Sequence, residues 1–200
     1  MRLPRVRAIG QENWSDEDPV KTALIGGIGN VLLGDDALGP YVVHLLEALY
    51  TFGDDVEIAD LGTPALDLTH RISGRDTVIL VDSVASEDPP GTLLLYRKSD
   101  ILGEMPSQRL DPHSPALSEC LMAAELVGCS PENVLLVGIV GKCYEPGQAL
   151  SAAVQQSIGT AIEAILEELT QRGFEFEKRA AAEKPGIWWC DTEPGKLATC

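Results

Sequence analysis

Short uninterrupted apolar runs alternate along this chain with stretches in which apolar residues recur every three or four positions. The runs ALIGGIG (23–29), VEIADLG (56–62), TVILVDSV (77–84) and NVLLVGIV (133–140) stop at glycine or polar residues and predict strands buried on both faces. TLLLYR (92–97), which follows the turn DPPG (88–91), predicts a further strand at a sheet edge. Between the runs, Leu38, Val42, Leu45, Leu46 and Leu49 form one helical stripe. Val154, Ile158, Ile162, Ile165, Leu166 and Leu169 form another, opened by Ser151 as N-cap. Pro64 opens a predicted helix through about Ile72, and Ser114-Pro115 opens one through about Val127 that buries Leu117, Leu121 and Ala124. Residues 98–112 carry no periodicity.

Strands alternating with helices predict an α/β fold of three layers: a twisted, mostly parallel sheet of about five strands with helices on both faces. The expected organisation is a flexible leader at 1–20, one domain at 21–173 and a C-terminal tail at 174–200, with Trp188 and Trp189 in a poorly ordered end.

Composition narrows the function classes. A formal net charge of −16 argues against a general nucleic-acid binder, because phosphate contact needs a basic face. No apolar run approaches the roughly 20 residues that cross a bilayer, and the first residues lack a signal-peptide core, so the expectation is a cytoplasmic protein without membrane insertion. Five cysteines, with no CxxC pair, read as reduced and mostly packing thiols.

Candidate chemistry follows from the sheet. In open parallel sheets, ligands gather where the strands end in loops and helix N-termini. Asp36 lies beyond the first strand, Asp60 and Asp82 at the ends of the next two, and His113 just before a capped helix. Asp36, Asp82 and His113 together make an incomplete shell for a divalent transition metal, with open positions for water or a partner's ligands. The competing readings are structural. Asp35 or Asp36 caps the following helix, the preferred account for Asp35; Asp82 bonds loop amides; His113 is an exposed loop residue; His44, His70 and Cys120 belong to helical packing. Other motifs are missing: a GxGxxG fingerprint begun at Gly27 would need glycine where Leu32 stands, and there is neither a Walker ending nor a GxSxG elbow.

GIGNVLLGDDALG (27–39), the strand-end aspartate of ILVDSV and the DPHSPAL loop together resemble the [NiFe]-hydrogenase maturation endopeptidases, over roughly residues 22–173. The resemblance implies a protease that removes a C-terminal extension from the hydrogenase large-subunit precursor once nickel is installed. It implies nickel supplied by that precursor, and metal contacts at Asp36, Asp82 and His113. Many relatives carry glutamate where this chain has Asp36, one methylene shorter. Two mechanisms stay open: nickel polarises the scissile carbonyl and activates water, or nickel positions the bond while a carboxylate, Asp36, acts as general base. Two other functions also remain: a non-catalytic nickel-checking module that binds the precursor, and a small-molecule hydrolase or phosphorylase with GGIGN around phosphate. Gly26, Gly27 and Gly29 are read as a tight strand exit rather than a phosphate cradle.

Overall fold

The computed structural model describes residues 21–103 and 117–190. Its elements in chain order are β1 (Ala23–Ile28), a single 3-10 turn (Gly34–Ala37), α1 (Leu38–Leu49), β2 (Tyr50–Phe52), β3 (Val56–Gly62), α2 (Asp67–Ile72) and β4 (Thr77–Val84). They continue with β5 (Leu93–Arg97), α3 (Lys98–Gly103), α4 (Leu117–Leu126), β6 (Asn133–Val140), α5 (Ala152–Arg172) and β7 (Phe176–Lys178). The apolar runs became strands because each is covered on two sides. Ile25, Ile79, Val81, Leu135, Val137 and Ile139 face α1 and α5. Their neighbours Leu24, Val78, Leu80, Val134 and Leu136 face α2, α3 and α4. Alternate residues of one strand thus serve opposite cores, which is why the runs are apolar throughout.

The main sheet has five strands in the order β3-β1-β4-β6-β5. β1 is parallel to both β3 and β4, and β4 is parallel to β6, whereas β5 runs antiparallel to β6 along the outer edge. The chain moves from β1 outward to β3 across one face, then returns over the other face to β4 on the far side of β1. That reversal sits between β1 and β4, so the loops leaving these two strands diverge and open a crevice at their carboxyl ends.

α5 begins and ends as its sequence indicates. The Ser151 hydroxyl accepts from the Val154 amide at 3.4 Å, and Gly173 adopts a left-handed φ of 81° while its N–H reaches Leu169 O and Thr170 O.

Four expectations need correction. Residues 98–103 form a short helix, α3, whose Ile101 is buried under α4, so one anchoring side chain supplied what periodicity did not show. The helix expected from Pro64 begins at Asp67, after a turn in which Ala65 holds φ at 47°. Residues 174–190 are not a free tail. Phe176 in β7 pairs with Phe52 in β2, Tyr50 stacks edge-on to Phe176, and Phe174, Ile187 and Cys190 are buried in the α1/α5 core. The alternation FEFE is a two-residue period, and it found a partner in the three exposed-edge residues after α1. Trp189 packs on His44 with ring centroids 5.6 Å apart, while Trp188 stays exposed. Lastly, Cys120, Cys129 and Cys143 are free thiols as expected, but Cys190 is disulfide-bonded.

Candidate active site

The β1 exit turns sharply. Gly29 holds φ at +141°, and a Cβ there would fall 1.8 Å from the carbonyl oxygen of Asp36, so only glycine lets the 3-10 turn fold back over the strand end. Asn30 stabilises the loop by accepting the Leu32 amide on its own Oδ1 at 3.0 Å. The fold-back carries Asp35 and Asp36 into the crevice from the β1 side. β4 supplies Asp82 and Ser83 from the other.

The two adjacent aspartates do different work. Asp35 is fully buried, and its carboxylate accepts three backbone amides: Lys142 at 2.7 Å, Cys143 at 3.0 Å and Ser151 at 2.5 Å. Its own N–H donates to Cys143 O at 2.7 Å. The expected role as a local helix cap is therefore wrong: neither the 3-10 turn nor α1 has a side-chain cap bond. Asp35 instead ties the β1 loop to the loop between β6 and α5, more than a hundred residues away.

Asp36 is 9% exposed; Oδ2 accepts the Asn30 amide at 2.9 Å and Oδ1 accepts the Ser83 hydroxyl at 3.4 Å. Burial raises its carboxyl above the ordinary range, only partly offset by these two donors. Asp82 is raised well above that range, first by burial and then by the negative charge of Asp36, against which the Ser83 amide helps little. No ion pair to lysine or arginine neutralises either acid among the described residues. A buried carboxylate and a half-buried one of like charge, unpaired among the described residues, favour anything that brings a positive charge or a proton.

The crevice therefore unites Asp36 and Asp82, as the sequence indicated. His113 lies outside the described residues. Among those residues no group of three or more His, Cys, Asp or Glu side chains could hold a metal by itself. Asp60 is not drawn in: its Oδ1 accepts the Gly62 amide at 2.9 Å, and Oδ2 lies 3.8 Å from Nε2 of His44, which fits the structural reading of that histidine.

Three residues that sequence reasoning passed over belong here: Asn30, Ser83 and Tyr144. Ser83 follows Asp82 in an apolar strand, and its burial with a polar side chain was a usable signal. Tyr144 sits in a polar loop with no pattern to single it out. Its hydroxyl is buried with no partner in strict hydrogen-bond geometry, and among the described residues Ser83 is the one side chain near enough to act on it as a loose hydrogen-bonding contact. Burial pushes the phenol above its ordinary value; Ser83 offsets this in part, and the carboxylates of Asp35, Asp82 and Asp36 add to it.

A separate open cavity of about 650 Å³ lies between α1, β2, β3 and residues 179–186. Its most prominent charge, Arg179, is already paired with Glu183 at 2.8 Å and bonded to the carbonyls of Glu47 and Tyr50. The candidate site is therefore placed at the acids of the β1/β4 crevice rather than in this cavity.

Known proteins resemble this chain in sequence and in fold. The hydrogenase maturation protease family model matches residues 40–168. The hydrogenase 2 maturation protease of Escherichia coli (strain K12) is 33% identical over 159 residues, which cover 79% of this chain and 96% of that protein. The hydrogenase expression/formation protein HoxM of Azotobacter vinelandii is 32% identical over 75% of this chain and 73% of its own length. In three dimensions, the hydrogenase maturating endopeptidase HybD from E. coli superposes with a TM-score of 0.73 at 31% identity, covering 80% of this chain and 98% of that one. On the family match, these relatives and the shared fold, the chain belongs to the hydrogenase maturation protease family, whose members are endopeptidases.

Proposed function

We propose that this endopeptidase removes a C-terminal extension from a [NiFe]-hydrogenase large-subunit precursor, and that it recognises nickel carried in by that precursor. The observation that supports this reading is the unpaired acid couple Asp36 and Asp82 at the β1/β4 switch point, both held above their ordinary carboxyl range. Such a couple binds a cation readily and repels an anion, which disfavours the phosphorylase alternative. Hard oxygen donors with an imidazole suit nickel among other divalent metals. Asp36, Asp82 and His113 would hold it, and the incomplete set leaves positions for the precursor's own ligands.

When present, the metal would supply Lewis-acid polarisation of the scissile carbonyl. The chain's residues do the rest. Asn30 and Ser83 orient the two oxygens of Asp36. Where the metal only positions the bond, Asp36 would serve as general base toward the attacking water, its oxygens already oriented for that proton. Leu32, in the loop after β1, and Leu66, in the loop after β3, are both exposed and offer apolar surface to an extended peptide.

The decisive experiment is mass spectrometry of nickel-loaded large-subunit precursor incubated with this protein. The expected result is a fragment lost from the C-terminus. An unchanged precursor mass, with binding retained, would replace the protease by a nickel-checking module. Asp82→Asn and His113→Ala should keep the fold and abolish processing; wild-type rates in both would reject the assigned site.

A further inference from the structure

The Tyr144 hydroxyl is the odd group of the crevice. Buried hydroxyls are almost always well hydrogen-bonded, yet among the described residues this one meets no partner in good geometry and has only the loose contact with Ser83. It is not there by slack packing. A Cβ on Gly141, the residue after β6, would lie 2.2 Å from the Tyr144 oxygen, so glycine at that position leaves room for the phenol. The loop carrying Tyr144 is itself pinned through Lys142 and Cys143 to Asp35, one residue before Asp36. Position and confinement are thus both specified.

The nearest polar neighbour is Ser83, which has its own hydroxyl proton committed to Oδ1 of Asp36. A serine oxygen that donates one proton keeps lone pairs free to accept another. Tyr144 has the complementary need: it holds a proton with no acceptor in good geometry, and three carboxylates around it favour its neutral, donating form.

Resting on the proposed function, we propose that Tyr144 and Ser83 are positioning residues for the Asp36 carboxylate, forming a buried chain in which Tyr144 donates to Ser83 and Ser83 donates to Asp36. The 3.4 Å contact between Ser83 and Asp36 is long for a hydroxyl bond to an anion. A second donor on Ser83 polarises its O–H and shortens that contact, because linked hydrogen bonds strengthen one another. The result is an Asp36 whose Oδ1 and Oδ2 are each held by one protein donor, leaving the remaining lone pairs directed at the substrate. Neither residue touches the reacting atoms; both act through Asp36.

The test compares wild type, Tyr144→Phe, Ser83→Ala and the double variant in steady-state cleavage of nickel-loaded precursor, with thermal melts alongside. Tyr144→Phe deletes an oxygen whose polar contact is the loose one with Ser83, so a purely structural role predicts unchanged cleavage per folded molecule. Positioning predicts a fall in kcat of roughly 10- to 100-fold with little change in KM, in a variant whose melt shows it folded. The double variant should be no worse than Ser83→Ala, since Tyr144 acts only through Ser83. Gly141→Ala, which displaces the phenol, should reproduce the Tyr144→Phe loss. Wild-type kcat in Tyr144→Phe, or single losses that multiply in the double variant, would overturn the proposal while leaving the protease intact. Failure of wild type itself to cleave in the same assay would overturn the functional reading and the proposal with it.

Discussion

Among the described residues, carboxylates are buried in two places, and the two treat them in opposite ways. On α5, Glu168 is 3% exposed and is clasped by Arg97 from β5 and by Arg172 one turn on, the latter at 2.9 Å. Burial alone would raise its carboxyl, but hydrogen bonds from Arg172 and Arg97 and their charges bring it below its ordinary value. At the β1/β4 crevice, burial raises Asp36 and Asp82, and among the described residues neither has an arginine or lysine to bring it back. Asp35 stands between these cases: fully buried, yet satisfied by three amides. A compensated buried charge serves the fold. One left uncompensated marks where the fold has set stability aside for an incoming partner.

The contrast breaks most visibly at Asp82. Asp82→Asn removes a charge that the fold does not neutralise, so cleavage should fall about 1,000-fold, roughly 4 kcal/mol of barrier, while denaturant unfolding shows equal or greater stability. A large stability loss would mean that Asp82 belongs with Glu168 as a structural acid. Next in size comes Asp35→Ala. It strands the amides of Lys142, Cys143 and Ser151 and should cost about 3 kcal/mol of unfolding free energy. A change below the scatter of surface substitutions would show that the loops are tied by other contacts.

Glu168→Gln is the gentler case. The substitution keeps shape and an acceptor, and both arginines are partly solvated at 44% and 37% exposure. The expected loss is about 1 kcal/mol, with cleavage per folded molecule unchanged. Its pH dependence sharpens the comparison. Because the folded Glu168 carboxyl lies below its ordinary 4.5, its stabilisation is complete above that value and is lost as pH falls through the lower folded one. Melting temperatures of wild type and variant should therefore converge on the acid side and separate toward neutrality. A constant gap across that window would refute the assignment.

Much of this was legible in order along the chain. Continuous apolar runs such as TVILVDSV require cover on both faces, and helical stripes of the right length supply it, so a parallel α/β sheet followed from periodicity. The placement of Asp36 and Asp82 at one edge followed in turn, because every parallel strand ends on the same side. Short, weakly patterned pieces were not legible. The single buried Ile101 makes α3, and FEFE needed to meet Tyr50–Phe52 before residues 174–190 joined the domain.

By itself, then, the sequence determined the elements, the sheet direction and the edge that bears the acids, all of which depend on local periods of two and 3.6 residues. Only the tertiary structure decided what each polar group does there. Asp35 and Asp36 are neighbours with the same side chain, yet one meets amides from 142–151 and the other meets Asn30 and Ser83. Tyr144 acquires a place beside them through Gly141 and the Asp35 tether. Burial, donors and neighbouring charges set a side chain's chemistry, and those come from segments far apart in sequence that only the folded chain brings together.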